Sequence, residues 1–460
     1  MAPVPSTPRP EVVMRRIAAV VALSLSSTLP AAPAATAVTV PQVTAVGAVA
    51  AGGTPTPARG AAATTSSPTP TGPTAAPNRD RQVPFRRAPR VASGPLTPAA
   101  DAEPLDTGVV AAPRGVAVVG ATWAEGSGAR VGLTYRVRRD GRWGPWRSIH
   151  VETCPGCADP GARTRAGSEP VVVNGATHVQ ARLVASGAPV RDARLSIVDA
   201  AASPASSGAA SLTPPVGAPV GASVGADGAA AVAGGSTASA GRRVSRVAGL
   251  PAAPAGLPGP RAMPTKREVW GASETRPARR MPIVAAHGIA VHHTAGTNSY
   301  SRAQVPAILR GIQRFHTRDR GWSDIGYNVL VDRYGRVWEG RYGGVGIPHK
   351  GAHASGVNQA YLGVAYIGDS STAPVPAVVM DSLVDVVAWT SVRYGFDVSG
   401  RMRVGGRLAP VVPGHYQVGN TRTSCPGVGL ARRLPEIRRR AAAGAAVYRE
   451  RARVGAARGR

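Results

Sequence analysis

Cysteine is scarce in this 460-residue chain: Cys154, Cys157 and Cys425 are its only three, too few for a disulfide framework. Lysine is almost missing, with Lys266 and Lys350 alone, so the formal net charge of +29 is carried by arginine. Arginine-for-lysine usage with abundant Ala, Gly and Pro is the habit of a GC-rich genome, which accounts for much of the basicity. Aromatic residues make up only 4% of the chain against 56 Gly and 43 Pro, which excludes a packed core running through all of it. Basic residues are not interleaved with aromatics, and no zinc-finger or RNA-binding pattern occurs, so nucleic acid is not the expected partner. No apolar run reaches transmembrane length, which excludes a stable membrane span.

What is present divides by composition. Arg15-Arg16, the apolar run Ile17 to Leu23 and the small residues Ala35-Thr36-Ala37 read as a signal peptide over 1–37, with Met14 as the start and export as the consequence. Residues 38–106 are an Ala/Pro/Thr-rich linker, too poor in apolar bulk to offset the entropy of ordering. Over 107–199, short alternating runs such as Arg130 to Arg138 and His178 to Leu183 are separated by turn signals such as Asp140-Gly141 and Asn174-Gly175, which predicts a small all-β, sandwich-like domain. Within it, Cys154-Pro155-Gly156-Cys157 reads as a tight local disulfide, ahead of a metal-binding or a redox pair, and Trp123, Trp143 and Trp146 read either as core and edge cover or as a carbohydrate-stacking face. A second linker, rich in Ala, Gly, Ser and Pro, spans 200–261.

From 262 to 445 the pattern becomes α/β: a mixed central sheet flanked by helices. Val305, Ile308, Leu309, Ile312 and Phe315 recur at helical spacing, as do Leu383, Val384, Val387 and Val392, with Gly395 ending that second helix. Strands are predicted at 327–332, 337–339 and 362–368, and a last helix over 430–440 precedes a basic tail at 446–460. Three residues in this region form a donor set. His292 ends the apolar run Ile289-Ala290-Val291, and His415 and Cys425 bracket one loop. Two neutral imidazoles and a thiolate suit a zinc ion and leave a fourth tetrahedral position open, the pattern of a catalytic rather than a structural site.

Several ordered motifs resemble the peptidoglycan recognition proteins and the zinc N-acetylmuramoyl-L-alanine amidases related to phage T7 lysozyme. They are Arg267-Glu268-Val269-Trp270-Gly271-Ala272, Val291-His292-His293-Thr294-Ala295-Gly296, Gly321-Trp322-Ser323-Asp324-Ile325-Gly326-Tyr327-Asn328, Glu339-Gly340-Arg341, Gly351-Ala352-His353 and Thr423-Ser424-Cys425-Pro426-Gly427. The likeness covers roughly the last two fifths of the chain. The β-rich segment is similar to one that accompanies such domains in exported actinobacterial proteins. The resemblance implies hydrolysis of the amide between N-acetylmuramic acid and the L-alanine of the stem peptide. It makes His292, His415 and Cys425 the zinc ligands and Tyr327 and Thr423 the catalytic hydrogen-bond donors. It puts His316 and His353 near the substrate groove; with them His293, which points to the opposite strand face from His292 and reads also as a structural neighbour of the ligands, and Arg341, either a structural ion-pair partner or the holder of an acidic group of the stem peptide, are the candidate substrate-binding residues. Peptidoglycan and muropeptides are then the partners, anionic wall polymers are candidates for the basic surface, and the location is extracellular and wall-associated.

Two departures stand out. His415 and Cys425 are ten residues apart, further than in most relatives, and Tyr416-Gln417 replaces the usual Arg-Asp. Extra loop length is cheap, since each doubling costs only ~0.6 kcal/mol of closure entropy. The rival reading is a non-catalytic muropeptide-binding module of the same fold; relatives that only bind typically lack the ligand cysteine, so Cys425 favours catalysis.

Overall fold

The computed structural model describes residues 80–87, 104–126, 128–152, 164–202, 252–274 and 281–458. The expected signal peptide and the Cys154–Cys157 pair lie outside the described residues. All described residues belong to one compact unit.

The amino-terminal part is a sandwich of two antiparallel sheets. In one, the order is Arg81–Pro84, Arg194–Asp199, Val116–Trp123, Ala166–Ser168 and Val151–Glu152, with Val171–Asn174 also pairing on Val116–Trp123. The other is built on the long pair Arg130–Arg139 and His178–Ser186. Trp123, Tyr135, Leu183 and Ile197 fill the space between them. The first linker is shorter than its composition suggests. Arg81–Pro84 and Arg86–Arg87, assigned to the linker by composition, are strands of this domain, because their ladder partners Leu195 and Leu105 lie far along the chain. Trp143 and Trp146 lie half-buried under arginines, with Arg136 at 4.5 Å and 4.7 Å from their ring centroids, while Trp123 sits in the core.

The carboxyl-terminal part is a four-stranded mixed sheet in the order Gly288–His293, Tyr361–Tyr366, Val329–Val331 and Val337–Glu339, with parallel pairing except for the last strand. Side chains alternate across it as the period of two requires. Val291, Val329, Val331 and Val364 face the helices Ala377–Tyr394 and Val428–Arg458. Leu330 and Ala365 face the helix Val305–Arg314, whose buried Val305, Ile308, Leu309 and Ile312 match the periodicity in the sequence. The last helix runs to Arg458 rather than ending near 440, so 446–460 is not a tail throughout. Its buried stripe continues as Ala441, Ala445, Tyr448 and Ala452, and with alanine at three of these four positions it does not stand out as hydrophobic periodicity. The second linker is also shorter than expected, since Ala200 and Ala202 are buried and Arg314 donates to the carbonyls of Asp199 and Ala202.

The two parts share a core. Val116–Trp123 is buried at every residue because both of its faces are covered. Ala117, Val119, Ala121 and Trp123 point into the sandwich, whereas Val116 and Val118 pack with Ile308, Ile312 and Phe315 of the second domain. Such a strand reads as continuous apolar sequence instead of alternating. Contact is closest at Gly120, where a Cβ would lie 2.4 Å from Phe315 Cζ. Gly120→Ala should therefore loosen the docking by about 1–3 kcal/mol through overpacking. Phe315→Leu in the same chain should recover part of that loss, as a double-mutant cycle on denaturant midpoints will measure. Additive losses would mean that the two residues do not meet.

Candidate metal centre

The donor set assembles where the strand Gly288–His293 ends. The Val291 N–H donates to the Pro413 carbonyl (2.8 Å) and Val291 bridges to Gly414, which sets the turn His415–Gln417 alongside His292. The loop that follows is closed by the Tyr416 N–H on the Cys425 carbonyl (2.8 Å), so the ten-residue separation does not keep His415 and Cys425 apart. Its outermost part leans on neighbours: the Asn420 N–H donates to the Ser355 carbonyl (3.0 Å) and the Thr421 hydroxyl to Glu152 (2.8 Å). The ligand atoms of His292, His415 and Cys425 all lie within 4.8 Å of one another and all three residues are buried. Cys425 Sγ is 3.6 Å from His292 Nδ1.

A chain of hydrogen bonds fixes which nitrogen of His292 faces the cluster. The Tyr361 carbonyl can only accept, so His353 carries its proton on Nε2, 3.2 Å away. His353 Nδ1 is then a bare acceptor and receives the Nε2–H of His292 at 3.0 Å. That leaves the Nδ1 lone pair of His292 directed toward Cys425, the tautomer a metal ligand needs. His415 differs: neither of its buried ring nitrogens has a hydrogen-bond partner, although Nε2 lies 3.5 Å from the Glu152 carboxylate. Unpartnered buried polar atoms are costly, and a cation would satisfy one of them.

Burial and the neighbouring histidines hold His292 well below the usual imidazole range, and burial takes His415 to about 4 and His353 to about 3. All three are neutral at pH 7, which for His292 and His415 is the state a metal ligand needs. Burial pushes the Cys425 thiol up, against the His293 N–H that donates to Sγ at 3.4 Å. A bound cation is what would stabilise its thiolate. The buried, neutral N/N/S set with an unpartnered imidazole fits zinc.

The other expected residues are placed as follows. Tyr327 is buried with its ring 5.5 Å from that of His292, and its hydroxyl donates to Glu169 of the amino-terminal domain. Thr423 accepts the Cys425 N–H at 2.9 Å and lines a cavity of about 1320 Å³ that reaches Cys425 and His293. His293 Nδ1 receives the Ser370 N–H (3.4 Å) and lies 3.7 Å from Asp369. Away from that cavity, His316 is stacked on Trp322 at 4.6 Å and receives the Gly326 N–H, while the buried Arg341 donates to the Lys350 carbonyl. His353, expected at the groove, is instead enclosed between His292 and Tyr361 with both nitrogens engaged.

Sequence reasoning missed the residues that the amino-terminal domain contributes. Glu152 is fully buried, with Oε1 accepting the Ser355 N–H (3.2 Å) and Oε2 the Thr421 hydroxyl. Burial alone would raise its carboxyl; the hydrogen bond from His150, together with His415 and Thr421, outweighs this and keeps it below its ordinary value. Glu169 is raised by burial. Arg320 donates to the carbonyls of Glu152 (2.8 Å), Arg165 (3.0 Å) and Ser168 (3.0 Å). No periodicity or motif marks such contacts; carboxylates standing in apolar stretches are the one hint.

Sequence comparison fits this geometry. The profile of the N-acetylmuramoyl-L-alanine amidase family matches residues 280–428, and one described as Rv3811 N-terminal galactose-binding domain-like matches residues 61–211. Peptidoglycan-recognition protein SC2 of Drosophila simulans is 30% identical over 161 residues, 35% of this chain and 78% of that protein. Its Drosophila melanogaster counterpart is 33% identical over 140 residues, 30% of this chain and 67% of that protein. Among solved structures, wild-type Drosophila PGRP-LB aligns with 27% identity and a TM-score of 0.31, over 37% of this chain and 90% of that one.

The relay through His353 is testable by metal affinity. His353→Ala should leave the His292 Nε2–H unpaired and weaken divalent-cation binding roughly 10- to 100-fold, measured by competition with a chromophoric chelator. Unchanged affinity would mean that the relay does not orient His292.

Proposed function

Because the chain belongs to the family of peptidoglycan-recognition proteins and N-acetylmuramoyl-L-alanine amidases, we propose that it is an exported, zinc-dependent amidase. Its reaction is cleavage of the amide between N-acetylmuramic acid and the L-alanine of peptidoglycan stem peptides. The observation that carries this reading is the convergence of His292, His415 and Cys425 within 4.8 Å in a buried cluster. A cysteine completing the set argues against a module that only binds.

Zinc held by these three residues would supply Lewis acidity, bringing the pKa of a water to about 7 and polarising an amide carbonyl. The chain's own groups do the rest. Thr423, on the cavity wall two residues before Cys425, donates its hydroxyl to the oxygen on which negative charge develops. Tyr327 offers a second hydroxyl beside His292, at present engaged by Glu169. The substrate reaches the centre through the cavity, where His293 contacts it, and Arg130, Arg147, Arg182 and Arg422 on the walls suit the carboxylates of a stem peptide. His316 and Arg341, away from this cavity and engaged with Trp322, the Gly326 N–H and the Lys350 carbonyl, act in the fold rather than on the substrate. Export is supported by Arg15-Arg16 and the apolar run behind them. Among the described residues, no helix is long and apolar enough to cross a membrane.

Mass spectrometry of a defined muramyl pentapeptide incubated with the full chain, zinc-loaded or chelated, tests the reaction. Free pentapeptide with an L-alanine amino terminus should appear only with zinc. Intact substrate in both tubes, with zinc bound, would replace this reading by the non-catalytic muropeptide-binding one. His292→Ala and Cys425→Ser should abolish zinc retention, whereas Tyr327→Phe should keep zinc and lose about 10²- to 10³-fold in kcat, the usual cost of one oxyanion donor.

A further inference from the structure

The two ligand histidines are not held alike within their own domain. His292 has His353 behind it, but no described residue of the carboxyl-terminal domain hydrogen-bonds either ring nitrogen of His415. A metal-ligating imidazole almost always passes its second N–H to a carboxylate, carbonyl or water, which fixes its tautomer and ring plane. Among the described residues, the carboxylate within 4 Å of His415 is Glu152, and it comes from the other domain.

Three features make Glu152 a built part of the centre. Its carboxylate is wholly buried and is held by groups of the carboxyl-terminal domain, the Ser355 N–H on Oε1 and the Thr421 hydroxyl on Oε2. Its strand is tied down by Arg320, which donates to the carbonyl of Glu152 itself and to those of Arg165 and Ser168. Its location relative to the donor set is the decisive one. Glu152 groups at ligand distance with His150 and His415 but not with His292 and Cys425. It is therefore close to His415 alone among the three donors. A fourth ligand, or a carboxylate that blocks the centre, would sit within reach of all three donors.

We propose that Glu152 of the amino-terminal domain is the positioning carboxylate of the metal centre, accepting the Nε2–H of His415 so that Nδ1 is presented to the metal. The 3.5 Å contact is longer than a hydrogen bond, and a small turn of the imidazole about its Cβ–Cγ bond converts it to one. His415 then mirrors His292, each offering Nδ1 with Nε2 anchored behind it. The centre is completed across the domain boundary, so the amino-terminal domain is part of the active structure in addition to anything it binds. This rests on the zinc reading of the site.

The test uses the full chain carrying Glu152→Ala or Glu152→Gln, with three readouts: zinc affinity by chelator competition, the visible spectrum of the cobalt(II)-substituted protein, and kcat against KM on the muramyl pentapeptide. Glu152→Ala should weaken zinc roughly 10- to 100-fold, alter the cobalt spectrum and lower kcat more than it raises KM. The isosteric Glu152→Gln keeps the packing and an accepting oxygen, so its zinc affinity should lie between those of parent and Glu152→Ala; it decides the matter if the alanine variant does not fold. Zinc affinity within twofold of the parent in a folded variant, with faster turnover, would overturn the proposal and make Glu152 a blocking group. Two zinc ions per chain, one lost in both Glu152→Ala and His150→Ala, would overturn it in favour of a second metal site. A parent chain that binds no zinc would refute the zinc reading itself, whereas a zinc-binding parent with unaffected variants refutes only the role of Glu152.

Discussion

The buried guanidinium of Arg320 holds the two halves of this protein in one arrangement. It is charged, has essentially no exposure to water, and donates to three carbonyls of the amino-terminal domain. Taking a guanidinium out of water is unfavourable unless its donors are used, and here they are used on the strands that carry Glu152 and Ser168. Burial lowers its pKa to about 10, and the carboxylates of Glu169 and Glu152 oppose the shift, so it remains a cation at neutral pH. The apolar contact between Val116–Trp123 and the helix Val305–Arg314 supplies the area of the junction; Arg320 supplies its register.

That junction brings two carboxylates of the amino-terminal domain up to the donor set. Tyr327 and His415 each meet a carboxylate that another domain delivers, Glu169 and Glu152 respectively. His292, by contrast, is oriented entirely from its own domain through His353 and the Tyr361 carbonyl. The centre is thus partly autonomous and partly borrowed. Docking also closes the region around Tyr327 and leaves the approach to Cys425 and Thr423 through the large cavity whose walls come from both domains. Arg130, Arg147, Arg182 and Arg422 lie on those walls, so part of the chain's positive charge is placed at this cavity.

Much of the fold was legible because it rests on periodicity. The helix Val305–Arg314 follows from large apolar residues at helical spacing, and the helix Ala377–Tyr394 ends at Gly395, which adopts the left-handed conformation that glycine favours. The misses have physical causes. Arg81–Pro84 is polar and becomes a strand only because Arg194–Asp199 offers it a ladder. The last turns of Val428–Arg458 bury alanines, whose small side chains leave no hydrophobic signature. His353 carried a motif that pointed to the groove, while its neighbours enclose it behind His292.

By itself the sequence determined the donor types, two imidazoles and a thiol, and the strand end and loop that carry them, since these depend on residue identity and local pattern. It also determined the alternation of strands and helices that forms the carboxyl-terminal sheet. Tertiary structure decided which ring nitrogen His292 turns toward Cys425, and that Glu152 and Glu169 of the amino-terminal domain lie beside His415 and Tyr327. The reason is that these properties arise from contacts between segments remote in the chain. Such contacts are selected by the docking of two cores and by the need to satisfy buried charges, and neither leaves a periodic trace in the order of residues.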